Sequence, residues 1–253
     1  QPPNFNRLAR AYRWMEYATF GPSLSLARNA FLPQLATRRH ALVLGDGDGR
    51  FTARLLRTNA SIHVHAVDAS PAMLSALILQ AGPHAARVQT EQADIRSWHP
   101  KISPGENQQN QSRVPLVPRT WGPAIPADAS NPSHLGTSDS RYDAIFTHFF
   151  LDSLTTEQVQ SLAVTLRAVT SPSALWVVSE FAIPSGWYGR LIARPLVWSL
   201  YRAFAWLTGL AIRTLPDHNA ALRAAGFTRY TRRSWLGGLL IGELWSAAPP
   251  EHT

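Results

Sequence analysis

The fold is decided by the stretch HALVLGDGDGRF, residues 40–51. A short apolar run leads into a loop with glycine at every second position, and a helical pattern follows from Phe51 to Leu56. A strand, a glycine-rich turn and a helix in this order are typical of a nucleotide-binding βα unit. Glycine allows the loop to bend sharply and lets its backbone approach a ligand without interference from a Cβ atom.

Two carboxylates inside this loop restrict the kind of nucleotide. Asp46 and Asp48 would repel a pyrophosphate placed at the N-terminus of the following helix. They are compatible with a cofactor that carries positive charge, such as a sulfonium and an α-amino group. The loop therefore favours a cationic cofactor over a dinucleotide.

Strand and helix patterns alternate along most of the chain, which predicts a parallel sheet covered on both faces. The last two strands are separated only by Leu236-Gly237-Gly238 and must form an antiparallel hairpin. The predicted strands are Ala41–Leu44, Ile62–Val67, Val88–Gln92, Ala144–Thr147, Leu175–Glu180, Thr228–Ser234 and Leu239–Ala247. The predicted core helices are Phe51–Arg57, Ala72–Leu79, Glu157–Val169 and Asn219–Ala225. We expect an α/β fold, a three-layer Rossmann-like sandwich around a seven-stranded, mostly parallel sheet.

The remaining segments surround this core within a single domain, residues 1–253. Residues 1–39 show helical spacing and predict an N-terminal helical cap. The core comprises residues 40–98 and 141–253, with a helical insertion at about 186–214. Residues 99–140, rich in Pro, Gln and Ser, predict a long insertion that is mobile in large part, with a substrate lid as the alternative.

Three further motifs place polar groups at strand ends. In VDASPAML, Asp68 ends the second strand about twenty residues beyond the glycines, where a carboxylate binds a ribose diol. In QADI, Asp94 ends the third strand and is placed to accept a hydrogen bond from an adenine amino group, with Ile95 packing near the ring. The alternatives are that Asp68 caps the next helix and that Asp94 caps a loop. The fourth strand, YDAIFTHFFLD at residues 142–152, ends in polar groups beside the first.

The four motifs together resemble the class I S-adenosylmethionine-dependent methyltransferases, over residues 40–181 outside the insertion and on to about 247 through the hairpin. The resemblance implies that the cofactor is S-adenosyl-L-methionine. It implies that the loop of Gly45, Asp46, Gly47 and Gly49 holds the methionine part, Asp68 the ribose and Asp94 the adenine. The implied cofactor site is completed by Ala69, Met73, Ile95 and Thr147. The family usually has an acid two residues before the first glycine, whereas this chain has Val43 there.

Methyl transfer depends largely on alignment, because the sulfonium is already activated. A base matters where the acceptor keeps its proton until attack. His148, at the end of the fourth strand, is the leading candidate for that base, and Asp152 is a candidate to orient it. For both residues the structural alternative is a capping role. Glu180, at the end of the fifth strand, is a further polar candidate on the acceptor side.

The acceptor is expected to be a small, apolar or aromatic molecule. Its predicted wall residues, besides Glu180, are aromatic: Tyr12, Tyr17, Phe149, Trp187 and Tyr188. The segment 187–207 has an apolar helical face, but Arg194, Pro195 and Arg202 argue against a membrane span. A helical cap over the acceptor is the first interpretation of this segment. A peripheral contact with a lipid surface, through Trp and Arg, is the second.

Composition limits the remaining possibilities. The chain has 253 residues, a formal net charge of +8 and no cysteine, which excludes disulfides, thiolate metal sites and a cysteine nucleophile. We expect no metal. The sequence THFF lacks the Asn/Asp-Pro-Pro-aromatic signature, so a nucleic-acid acceptor is disfavoured, although an RNA methyltransferase and a membrane-associated cofactor-binding module stay open. The start of the sequence lacks the pattern of a signal peptide, so we expect a cytoplasmic protein, with peripheral membrane attachment as the variant.

Overall fold

A computed structural model of the chain describes residues 20–100, 141–199 and 216–248. Residues 1–19 of the predicted N-terminal cap lie outside these ranges, together with the predicted wall residues Tyr12 and Tyr17. The greater part of the predicted insertion, 101–140, and the second half of the segment 187–207 also lie outside them.

Seven strands form one sheet in the described residues, as the sequence predicts. They are β1 (His40–Leu44), β2 (His63–Asp68), β3 (Val88–Gln92), β4 (Tyr142–His148), β5 (Thr170–Phe181), β6 (Thr228–Trp235) and β7 (Leu240–Ser246). Their order across the sheet is β3-β2-β1-β4-β5-β7-β6. The first five strands run parallel, and β7 is antiparallel to both of its neighbours. The predicted fold class and terminal hairpin are confirmed.

Helices connect the strands and cover both faces of the sheet. Those with both ends in the described residues are α1 (Ser23–Asn29), α2 (Arg50–Thr58), α3 (Pro71–Ala81), α4 (Thr156–Val169) and α5 (His218–Ala224). A capping box starts α4, because Thr155 and Gln158 each bind the backbone N–H of the other. The helical spacing predicted within residues 1–39 is interrupted in its described part. Helix α1 ends at Asn29, and Leu32–Leu35 forms a separate 3₁₀ turn around Pro33, which lacks an N–H to donate within a helix.

Two apolar clusters lie on opposite faces of the sheet. On one face, Val43 and Phe146 pack with Phe51 and Leu55 of α2 and Leu77 of α3. The other face packs Trp176 and Trp245 against α4 and α5. The parallel strands end together at one edge of this three-layer sandwich, so the polar groups that follow β1, β2, β4 and β5 meet there.

Candidate cofactor and acceptor site

The three positions in the loop after β1 require glycine for different structural reasons. All three have positive φ, at 66° for Gly45, 64° for Gly47 and 81° for Gly49. A Cβ on Gly45 would collide with the ring of Phe150, and one on Gly49 with the backbone of Leu77. A Cβ on Gly47 would meet nothing within 4 Å. Close approach to a ligand is thus possible at Gly47, whereas the other two glycines serve the packing of the protein itself.

Asp46 lies in the loop as a cap of α2. Its Oδ2 atom accepts a hydrogen bond of 2.9 Å from the backbone N–H of Thr52 in the first turn of that helix. Burial raises the pKa of Asp46 to about 6, although this hydrogen bond and the charge of Arg28 oppose the rise. Val43, where the family usually has an acid, is buried in the apolar cluster beside α2. Asp46 is therefore the acid that this part of the chain offers near the first glycine.

Asp68 joins the end of β2 to the glycine loop. Its carboxylate accepts hydrogen bonds from the backbone N–H of Ser70, at 2.8 Å, and from that of Gly47. Partial burial raises its pKa above the ordinary value for aspartate. Ser70, rather than Asp68, caps α3, since its hydroxyl accepts from the N–H of Met73. The carboxylate therefore lies beside the one glycine with open space, while Ala69 is exposed and Met73 is half-buried in the first turn of α3.

The group predicted to receive the adenine is engaged within its own loop. Both carboxylate oxygens of Asp94 bind the guanidinium of Arg96, at 2.6–3.1 Å, and this ion pair lowers the pKa of Asp94. The side chain of Asp94 is 45% exposed. Ile95 points away from solvent and packs in the core with Trp98. An adenine amino group would share these oxygens with Arg96, because each carboxylate oxygen has two lone pairs.

The polar residues at the end of β4 face inward. Thr147 is fully buried, and its hydroxyl accepts a hydrogen bond of 2.9 Å from the indole N–H of Trp176. His148 is 4% exposed and packs edge-on against Phe51, with ring centroids 4.2 Å apart. Its Nδ1 lies 2.9 Å from the hydroxyl of Ser179, which itself donates to the carbonyl of Ala27. Since a hydroxyl has one hydrogen, this geometry makes Nδ1 the donor and leaves Nε2 as a buried acceptor with no hydrogen bond. Burial, aided by the charge of Arg28, lowers the pKa of His148 well below its ordinary value.

Asp152 and Glu180 come together on the opposite face of the sheet. Glu180 is 2% exposed, and its Oε1 accepts from the backbone N–H groups of Phe150, at 3.1 Å, and Leu151, at 2.8 Å. Its Oε2 has no hydrogen-bond partner. Burial and the neighbouring carboxylate of Asp152 raise the pKa of Glu180 well above its ordinary value. The two acids form a carboxyl pair, and the raised pKa of Glu180 favours its protonated form.

This carboxyl pair (Asp152 and Glu180) lies in the wall of a cavity of about 170 Å³ at the ends of β5 and β7. Polar groups of α5 and β6 also line it, namely His218, Asn219 and Arg232. Phe181 and Ile241 supply apolar surface. The cavity thus combines a carboxyl pair with hydrogen-bonding groups and apolar contact area.

The aromatic residues predicted to line the acceptor site are placed differently from one another. Phe149 follows β4 with a positive φ of 53°, packs at a tilt against the ring of Phe181 and lies under the guanidinium of Arg28 at 5.2 Å. Tyr188 is half-buried and donates to the carbonyl of Leu236 at 3.1 Å. Trp187 is 69% exposed and faces outward. Of these three, Phe149 is the one adjacent to the strand ends where the other polar groups meet.

Two searches of the described residues complete the inventory. Within the described parts of the chain, no three His, Asp or Glu side chains gather in a way that could hold a metal ion. No helix in those same ranges is long and apolar enough to cross a membrane.

The fold can be compared with solved structures. Over 98% of its length the chain matches the S-adenosylmethionine-dependent methyltransferase SibL, solved in its apo form, with a TM-score of 0.59, 20% identity and coverage of 60% of SibL. An O-methyltransferase family protein from Burkholderia thailandensis matches with a TM-score of 0.62 and 14% identity, over 98% of this chain and 62% of that one. The 1,6-didemethyltoxoflavin-N1-methyltransferase of Burkholderia thailandensis matches with a TM-score of 0.55 and 15% identity, over 98% and 91%. This is a class I methyltransferase fold.

Comparison of the sequence adds no relative to these structural matches. No protein-family model matches it, and no curated protein sequence matches it significantly. The chain spans about three fifths of the first two methyltransferases named. The likeness therefore establishes the architecture, and the chemistry has to be argued from this chain's own residues.

Within this methyltransferase fold, sequence patterns missed two arginines. Arg28 of α1 is close enough to influence the pKa values of both Asp46 and His148. Arg232 of β6 lines the same cavity as the carboxyl pair. Both come from segments far from the motifs, and neither carries a motif of its own. Only the sheet order and the packing of α1 bring them to the site.

Proposed function

We propose that the chain is an S-adenosylmethionine-dependent methyltransferase that acts on a small, apolar or aromatic acceptor. The observation that carries the proposal is the junction of Asp68 with Gly47. A carboxylate at the end of β2 binds the one loop glycine with open space above it, in a fold shared with S-adenosylmethionine-dependent enzymes. Support for a small acceptor comes from the toxoflavin N1-methyltransferase, solved with 1,6-didemethyltoxoflavin and S-adenosylhomocysteine bound.

On this proposal, each residue around the loop binds a different part of the cofactor. Asp68 accepts from the ribose hydroxyls, and Asp94 accepts from the adenine amino group beside its ion pair with Arg96. Asp46 attracts the α-amino group, and Arg28, whose charge acts on Asp46, attracts the carboxylate of the methionine part. The bound cofactor supplies a methyl group activated by a sulfonium. The protein's task is to orient the acceptor and to exclude water.

We propose that the carboxyl pair, rather than His148, takes up the proton that the acceptor loses. Asp152 and Glu180 line a cavity with hydrogen-bonding and apolar walls, as an acceptor with a hydroxyl or amino group requires. His148 is enclosed by Phe51, Ser179 and the carbonyl end of α1. The sequence favoured His148 because it ends β4. The pairing of Asp152 with Glu180 favours the other face, so on this proposal Asp152 acts with Glu180 instead of orienting His148 as the sequence analysis expected.

The test of the cofactor site is calorimetric titration of the full chain with S-adenosylhomocysteine. We expect binding by the wild type and a loss of at least about tenfold in Asp68→Ala, because hydrogen bonds to a charged group contribute about 1.5–3 kcal/mol each. Glu157→Ala, which removes an exposed carboxylate of α4, is the matched control and should bind like the wild type. Absence of binding by the wild type, or equal binding by Asp68→Ala, would reject the assignment.

A further inference from the structure

The helical segment 187–199 has an inner face that belongs to the protein core. Gly189, Ala193 and Val197 recur at every fourth residue and are buried. Ala193 and Val197 pack in a third apolar cluster formed with Phe20, Leu24, Phe181, Leu239 and Leu240. The chain passes so close here that a Cβ on Gly189 would collide with the carbonyl of Pro184. The core therefore fixes which side of this segment points outward.

The outward side carries large apolar side chains. Leu191 is 72% exposed, Trp187 69%, Trp198 59% and Ile192 45%. We call these four residues the outer apolar face. A single exposed leucine is ordinary in a globular protein, whereas several on one helical segment mark a surface that contacts something apolar.

Positive charge accompanies the outer apolar face. Arg190 and Arg194 are exposed on the same segment. Residues 181–216 contain four arginines and neither aspartate nor glutamate. An apolar face with arginines beside it and no acid has the chemistry of a helix that lies in the headgroup region of a membrane.

A basic cleft adjoins this segment and extends its charge. Tyr188 fixes the segment to the β6–β7 turn through its hydrogen bond to the carbonyl of Leu236. Beside that turn, Pro184 and Gly238 take part in an open cleft of about 480 Å³. The polar side chains of the cleft are those of Ser185, Arg232, Arg233 and Ser234. Arginine and serine groups in such a cleft suit the phosphate oxygens of a lipid headgroup.

We propose that the outer apolar face, with Arg190 and Arg194, binds the surface of an anionic lipid bilayer, with the helical segment lying in the plane of the interface. Tryptophan suits this position because its ring is apolar and its indole N–H is polar. A second copy of the chain, paired face to face, would bring the same arginines against each other without an acid to neutralise them. RNA would leave Leu191 and Ile192 exposed between the charges. This inference is independent of the proposed methyl transfer.

The experiment is co-sedimentation of the full chain with vesicles of phosphatidylglycerol and phosphatidylcholine, compared with vesicles of phosphatidylcholine alone. We expect binding to the anionic vesicles that weakens as salt is added. Leu191→Ser with Ile192→Ser should lower the partition coefficient at least about tenfold, because less apolar surface enters the interface. Leu79→Ser is the matched control, since Leu79 is 81% exposed on α3, and it should bind like the wild type.

A charge variant tests whether Arg190 and Arg194 contribute to binding of an anionic surface. Arg190→Glu with Arg194→Glu should remove the preference for anionic vesicles, whereas Arg54→Glu with Arg57→Glu on α2 should retain it. The proposal is overturned if the wild type does not bind anionic vesicles, or if the control variants lose as much binding as the test variants. It is also overturned if the serine variant changes only the molecular mass in light scattering, which would assign the face to a second copy. Salt-sensitive binding to an RNA oligonucleotide without vesicle binding would overturn it as well.

Discussion

The two polar pairs at the ends of β4 and β5 resemble each other in sequence position and differ in environment. His148 and Ser179 lie on the face covered by α1 and α2, and Asp152 and Glu180 lie on the face covered by α4 and α5. Each pair includes a buried atom without a hydrogen bond, Nε2 of His148 and Oε2 of Glu180. The second pair lines the cavity at the ends of β5 and β7. Polar side chains at neighbouring strand ends therefore enter different environments, according to the face of the sheet on which they lie.

The largest expected effect concerns Glu180, the member of the carboxyl pair that accepts hydrogen bonds from the backbone after β4. Glu180→Leu leaves the N–H groups of Phe150 and Leu151 without an acceptor in a buried position, which should lower the free energy of unfolding by about 2–5 kcal/mol. Glu180→Gln keeps an oxygen acceptor and should retain the wild-type fold. Urea unfolding of the three proteins at one pH measures the difference. Equal stability of the Leu variant and the wild type would mean that Glu180 does not hold the loop after β4.

The second expected effect separates the two pairs by pH. Because the pKa of Glu180 is raised, the folded state keeps a proton that the unfolded state releases above the ordinary glutamate range. Stability should therefore fall as pH rises from about 4.5 toward the folded pKa, by at most about 1.4 kcal/mol for each pH unit. Glu180→Gln removes this dependence on pH. The difference in free energy of unfolding between this variant and the wild type should therefore grow in favour of the variant as pH rises.

Urea titrations of the wild type and Glu180→Gln between pH 5 and 8 measure that difference. Asp152→Asn should reduce the slope in part, since the carboxylate of Asp152 is the second cause of the raised pKa. Parallel curves for the wild type and Glu180→Gln would show that the carboxyl pair does not retain its proton.

How far the sequence could predict these pairs depends on strand register. The apolar runs and the glycine-rich turns between them predicted every strand of the described sheet, because each is a local pattern. Side chains alternate along a strand, so faces follow once the partners of a strand are known. Here His148 pairs with Ser179, which puts Glu180 on the face opposite His148. That register is a tertiary property, and the sequence motifs carry no signal for it.

The same reasoning explains what sequence patterns missed around the cofactor loop. The glycine pattern predicted a sharp bend and close approach to a ligand, but it carried no signal that Phe150 and Leu77 occupy the space beside Gly45 and Gly49. Phe150 comes from the end of β4, far away in sequence. The ion pair of Asp94 with Arg96 is local, two residues apart, but an exposed pair of this kind depends on a loop conformation that composition does not specify. The position of Arg28 near the loop depends on where α1 packs, which the sequence does not specify.

The smallest expected effect tests the enclosed pair, and its sign is the reverse of that for Glu180. Because burial lowers the pKa of His148 well below its ordinary value, the unfolded state binds a proton below about pH 6.5 that the folded state rejects. Stability should be unaffected by His148 above that pH and should decrease as pH falls from about 6.5, by at most about 1.4 kcal/mol for each pH unit. His148→Gln is neutral throughout and should lose that part of the acid slope.

Unfolding free energies of the wild type and His148→Gln from pH 5 to 8 measure the effect, and the two curves should converge in shape above about pH 6.5. A wild type whose acid slope equals that of His148→Gln would mean that His148 accepts a proton in the folded protein. Such a result would place an exchangeable proton on the α1 face as well. It would restore His148 beside the carboxyl pair as a candidate base, because a buried imidazole that titrates must have a polar partner or an opening to solvent.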